Sequence, residues 1–78
     1  MDRIIISYGC GEDGKKFITR CGEEGIVLEY VCDGNKKLEG TIFCNQPVRS
    51  IDCLKNDNRD KIIIISSRRY YYEIYELL

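Results

Sequence analysis

The chain has no histidine in its 78 residues. That removes the side chain that most often serves as a general base near neutral pH and as a metal ligand. Charge of one sign is also lacking: 12 basic and 13 acidic residues leave a net charge of −1. With no basic tail or stripe, a nucleic-acid footprint is not expected. Long apolar runs are missing too. The longest, Ile62 to Ile65, is far too short to span a membrane. Met1-Asp2-Arg3-Ile4 leads straight into a strand-like segment and has neither the length nor the cleavage site of a signal peptide, so a cytoplasmic location is expected. No low-complexity segment interrupts a composition that is 44% hydrophobic and 32% charged. The expectation is one small domain over residues 1–78, with a marginal core for its size.

Cysteine, by contrast, is abundant. Five cysteines stand at 10, 21, 32, 44 and 53. No pair has C-x-x-C spacing, and the count is odd, so neither a zinc site nor a closed disulfide framework is expected. They read as reduced thiols used as small, mostly buried apolar residues. Cys10 alone has a second reading. It sits near a helix start, where a thiolate would be stabilised and reactive.

The most informative segment is Ile4-Ile5-Ile6-Ser7-Tyr8 followed by Gly9-x-Gly11-x-x-Gly14. β-Branched residues in a continuous apolar run suit a buried parallel strand. Gly14, Phe17, Ile18 and Cys21 then recur at i, i+3, i+4 and i+7, one face of a helix that Glu12 and Asp13 open. Gly22 fits its C-cap, and Glu23-Glu24-Gly25 a turn. A second apolar run, Ile26 to Cys32, ends at Asp33, nineteen residues after Gly14. Strand, glycine loop, helix, strand and acid form the dinucleotide-binding fingerprint. In it Gly9 turns the chain, Gly11 lets a phosphate approach the backbone, Gly14 packs helix on sheet, and Asp33 accepts a ribose hydroxyl. Each feature has a structural alternative. The loop serves as a strand-to-helix turn, and Asp33-Gly34 is a turn signal in its own right. Glu12 and Asp13 complement the helix dipole but work against a phosphate there.

Further on, Thr41 to Cys44 is β-prone, and Pro47 should stop strand pairing. Ser50 is a candidate N-cap for a short helix through Lys55. Residues 56–60 form a loop by composition. Lys61 to Ser66 is the strongest strand; its four isoleucines read as buried on both faces. Ser67 then looks like the N-cap of a last helix whose apolar face is Tyr71, Ile74, Tyr75 and Leu78. Tyr71 should be buried, and Tyr70 or Tyr72 exposed at an interface. Arg68 and Arg69 would lie in that helix's first turn, an unfavourable place for cations unless an anion or partner is near.

The fold class that follows is α/β: half of a doubly wound, Rossmann-like parallel sheet of about four strands in the order 3-2-1-4, with helices on both faces. Strand order reverses between the first and fourth strands. Ligands of such sheets bind beyond that point, so Gly9–Gly14 and Ser66–Arg69 should face each other across a crevice. The candidate binding residues are Gly9, Cys10, Gly11, Glu12, Gly14, Asp33, Ser66, Ser67 and Arg68. No nucleophile is paired with a base, so no catalytic residue is assigned. The fourth strand is left as an edge beside an uncovered apolar surface, and Glu76-Leu77-Leu78 ends on apolar residues within a helix. The expectation is a module of a larger protein, or else self-association.

The segments together resemble a known group. Tyr8-Gly9-Cys10-Gly11-Glu12-Asp13-Gly14-Lys15-Lys16 resembles the Y-G-A-G-x-x-G-K start of small Rossmann-like domains of bacterial sugar-modifying proteins. Val31-Cys32-Asp33-Gly34-Asn35 is similar to their F-x-D-N-N/D-P turn. The stretch from Gly40 through Leu54 loosely resembles their G-I-P-V-I-S-P-E-E-L segment, and that from Ile64 to Ile74 their I-A-S-x-x-Y-Y-E-E-I segment. The group includes N-terminal domains of sugar acyltransferases of the bacillosamine-acetyltransferase type and appendages of other enzymes of nucleotide-sugar metabolism. The resemblance implies a nucleotide-type ligand, a UDP-sugar rather than NAD. It places Gly9, Gly11 and Gly14 at the nucleotide, Asp33 at ribose or base, and Ser66 and Ser67 on the opposite wall. In those relatives the chemistry belongs to a second domain. Here Gly34 stands where a second polar residue is usual, and no proline follows Asn35. The alternative function is a structural or oligomerisation domain of the same fold without a ligand.

Overall fold

The computed structural model describes residues 3–69 and 71–78. The elements run β1 (Ile4–Tyr8), α1 (Glu12–Glu24), β2 (Tyr30–Cys32), a 3₁₀ turn (Lys36–Leu38), β3 (Ile42–Phe43), β4 (Gln46–Arg49), α2 (Ile51–Asn56), β5 (Lys61–Ile65) and α3 (Tyr71–Leu77). They form an α/β domain around one five-stranded sheet in the order β3-β4-β2-β1-β5. β1 lies parallel to both β2 and β5, with Ile6 level with Tyr30 on one side and Ile63 on the other. Strand order therefore reverses beside β1, between the segment that enters α1 and the one that leaves β5.

Side chains alternate across β1 and divide the core in two. Ile6 and Tyr8 pack with Tyr30, Cys32 and Leu54 on the face covered by α2, where Ile74 of α3 joins them. Ile5 points the other way, into the cluster of Ile18, Cys21, Leu28 and Val31 under α1. Ser50 caps α2 as its sequence position suggests, its Oγ accepting the Cys53 N–H at 3.1 Å.

The sheet departs from four parallel strands at its β3 edge. The third strand expected over Thr41–Cys44 is only Ile42–Phe43, and it runs antiparallel to β4 in a hairpin. Cys44 and Asn45 both have positive φ, 50° and 65°, so the turn between them is of the two-residue primed kind that matches strand twist. Pro47, expected to stop pairing, lies inside β4 opposite Ile42. Val48 N donates to Thr41 O at 2.9 Å, so the neighbouring position 47 would point its amide toward β2. The parallel ladder to β2 begins only at Val48, beyond the missing donor.

Other boundaries shift for local reasons. α1 passes through Gly22 and stops at Gly25, which takes the left-handed conformation (φ 73°) while Ile26 N closes on Cys21 O at 2.8 Å. The run from Ile26 supplies a loop before it supplies a strand. Ile26 and Val27 are exposed, Leu28 is buried, and β2 starts at Tyr30. The last helix runs Tyr71–Leu77, and Arg68 and Arg69 lie in the loop before it rather than in its first turn. Tyr71 is exposed rather than buried, and Tyr72 is 81% exposed. The expectation for Tyr70 falls outside the described residues. β5 is an edge strand without a single buried residue, so its four isoleucines do not mark a strand covered on both faces. The α2–β5 loop is pinned at the other end of the sheet. Asp57 accepts from the Tyr30 hydroxyl (2.8 Å) and from Arg59, which also reaches Glu29. The Arg59 guanidinium holds the Asp57 carboxyl well below the usual carboxylate range. No helix among the described residues is long and apolar enough to cross a membrane.

Candidate functional site

The glycine loop leaves β1 at Gly9, whose N–H donates to Cys32 O at 2.8 Å. Gly9 has φ +126°, a conformation that L side chains rarely adopt, and a Cβ there would sit 3.1 Å from Ser66 O. A Cβ at Gly14 would collide with the Gly9 carbonyl. Two of the three glycines are thus required by packing alone: β1, α1 and the β5–α3 loop converge on them. Gly11 differs. Nothing lies within 4 Å of a Cβ built there, and it stands at the N-cap of α1 without a side-chain cap bond. Its backbone faces open space beside the first-turn amides of the helix, where an acceptor is favoured.

Asp33 follows β2 and holds the loop from the other side. Its Oδ2 accepts the Cys10 N–H at 2.9 Å and its Oδ1 the Asn35 N–H at 2.8 Å. The carboxylate is both an Asx-type turn and a strut under the glycine loop. The departure at Gly34 has a steric reason, since a Cβ there would lie 3.2 Å from the Tyr8 hydroxyl. Opposite, Ser66 N donates to Tyr8 O, and Ser66 Oγ pairs with the buried Ser7 Oγ at 3.0 Å. Asp13 reaches across from α1, its Oδ2 accepting Arg68 N–H at 3.1 Å. The two segments expected to face each other do so, joined by hydrogen bonds.

Between them lies a cleft of about 780 Å³, within the usual range for small-molecule sites. Gly9 to Asp13 form one wall, Ser66, Ser67 and Arg69 the other, and Asp33 to Asn35 the far rim. Gly14 is buried within the first turn of α1 and lines none of it. Arg68 opens into an adjoining pocket of about 570 Å³ with Phe17, Ile64 and Tyr72, so the cation at the cleft is Arg69. Sequence reasoning also missed the apolar side of the cleft, made by Leu38, Ile74 and Leu77. Leu77 follows Ile74 at helical spacing, the one signal that was available.

Cys10 lines the cleft, but no thiolate is stabilised there. Burial, then the neighbouring Asp33 carboxylate, push its thiol up to about 11. Cys32, buried in the core cluster on the α2 face, is pushed up to about 12, chiefly by burial. All five cysteines are free, yet only Cys21 and Cys32 are buried; Cys44 and Cys53 are exposed, against the expectation that most would be internal. At neutral pH only about one part in ten thousand of the Cys10 thiol is thiolate. Iodoacetamide should therefore label Cys44 and Cys53 first at pH 7, and Cys10 only as the pH approaches 11. Peptide mapping after a timed pulse checks this. Preferential labelling of Cys10 at neutral pH would contradict it.

No protein-family model matches this chain, and no curated protein matches it in sequence.

Proposed function

We propose that the cleft binds a nucleotide or nucleotide-sugar, as a binding module of a sugar-modifying system that acts in the cytoplasm. The carrying observation is the convergence at the strand-order reversal. The open backbone of Gly11, the Asp33 carboxylate at the end of β2, and Ser67 and Arg69 beyond β5 all border one cleft. This is where open α/β sheets hold such ligands. In this reading the Gly9–Gly11 backbone takes phosphate, a free lone pair of Asp33 takes a ribose hydroxyl, and Arg69 offsets Glu12 and Asp13. Ile74 and Leu77 supply an apolar surface for the base. The UDP-sugar preference rests on the sequence resemblance alone.

Calorimetry or thermal-shift titration with UDP, UDP-sugars, NAD and ATP tests the reading. A bound ligand at a hundred times its dissociation constant stabilises the fold by about 2.7 kcal/mol. Gly11→Val should abolish that gain while costing the free protein only the roughly 1 kcal/mol of a poorer N-cap, since nothing crowds position 11. No stabilisation by any of the four at millimolar concentration sinks the proposal. One observation favours the second reading, a structural domain of the same fold: both Asp33 oxygens already accept backbone N–H groups.

A further inference from the structure

β5 ends the sheet, and nothing among the described residues pairs with its outer side. Which backbone groups face that side follows from the bonds to β1. Asp60 O accepts Ile4 N–H at 3.0 Å, and Ser66 N donates to Tyr8 O at 2.9 Å. Even-numbered positions of β5 thus turn toward β1. Lys61, Ile63 and Ile65 turn their N–H and C=O groups outward.

Edge strands usually carry a guard such as a free charge, a proline or a bulge. β5 has no proline, and its register with β1 is unbroken from Lys61 to Ile65. Its only charge, Lys61, is folded back, with Nζ donating to Asp57 O. The edge is flanked by apolar surface on both faces of the sheet. Ile62 is 41% exposed on the α1 face, and on the other Tyr71, Tyr75 and Leu78 are 42, 62 and 43% exposed. The tyrosines form a cluster: Tyr71 stacks on Tyr75 (centroids 6.3 Å apart) and meets Tyr72 edge-on at 5.5 Å. With whole tyrosines burying 150–250 Å² each, these side chains expose on the order of 500 Å², the larger part of the ~800 Å² that each partner contributes to a standard interface, before the strand edge itself is counted.

We propose that β5 pairs antiparallel with β5 of a second copy of this chain, continuing one sheet through both molecules, with the Tyr71–Tyr72–Tyr75 clusters closing over the joint. The strand is its own complement. A two-fold axis at Ile63 sets Ile63 against the partner's Ile63, and Ile62 against the partner's Ile64. Lys61 falls opposite the partner's Ile65, so no like charges meet. The outward groups of residues 61, 63 and 65 then exchange hydrogen bonds across the axis, and the interface is closed and isologous.

Sedimentation velocity over a micromolar to near-millimolar range tests this, together with concentration-dependent hydrogen exchange. The expected mass rises from 9.1 kDa toward twice that value, and the Ile63 and Ile65 amides gain protection in step. Ile62→Lys and Tyr72→Glu, both at exposed positions, should each weaken association at least about tenfold with unchanged far-UV circular dichroism. A monomer at every concentration overturns the proposal. So does association that neither substitution weakens, or one that leaves exchange at Ile63 and Ile65 unaltered.

Discussion

Gly14→Ala is expected to cost about 3 kcal/mol of stability, although alanine is the better helix former. The new methyl group points at the Gly9 carbonyl, and that carbonyl has nowhere to go. Gly9 is held by its N–H bond to Cys32 O, by its positive φ, and by Ser66 O on its far side. The start of α1 must lift from the sheet, loosening Ile18 and Cys21 in the core beneath it. A 78-residue domain has roughly 4–12 kcal/mol in all. At about 4–8 °C per kcal/mol, the melting temperature should fall by roughly 10–25 °C. Gly22→Ala in the same helix is the control. Position 22 is exposed with nothing near its missing Cβ, so that change should stabilise by up to about 1 kcal/mol. Urea titration of both variants reads the contrast. Equal effects would mean that α1 does not seat on Gly9.

Asp33→Ala should cost about 2–3 kcal/mol, and it should change Cys10 as well. Two charge-assisted bonds are lost, each of a kind worth about 1.5–3 kcal/mol, with water replacing the exposed one at Asn35. The Cys10 amide is half-enclosed and has no such substitute. Removing the carboxylate also removes part of what holds the Cys10 thiol near 11. Burial, the larger cause, remains, so the pKa falls but stays above that of a free thiol. The variant should melt earlier and alkylate at Cys10 at a lower pH than the parent. Asp33→Asn, with one carbonyl oxygen for two donors, should fall between. An unchanged alkylation profile would show that Asp33 does not act on the thiol, and unchanged stability that it does not support the loop. Neither readout depends on whether a nucleotide binds.

Much of the architecture was legible because local chemistry and long-range packing agreed. Consecutive isoleucines, a glycine turn and an i, i+3, i+4 apolar stripe specify strand, loop and helix wherever they lie in the chain. The roles of Gly9 and Gly14 follow from that unit alone, as does the position of Asp33 at the end of the neighbouring strand. The hairpin at Cys44-Asn45 was not legible, because neither residue is the glycine that usually marks positive φ. Gly22 and Gly25 offered two stops for α1, and only the path of the following chain chose between them. At the cleft, Arg69 rather than Arg68 lines the wall, in a loop that Asp13 holds by the Arg68 amide, a contact between residues 55 apart.

The sequence by itself determined an α/β domain whose first strand, glycine loop and helix form one unit, because Gly9 and Gly14 are required there by positive φ and by the close approach of helix to loop within a few residues. Only the tertiary structure decided what that unit faces. It spent the Asp33 carboxylate on two backbone amides, raised the Cys10 thiol by burying it beside that charge, and left the four-isoleucine strand without a buried residue. Those outcomes depend on which distant segments share a neighbourhood, and a pattern of spacings along the chain does not contain that information.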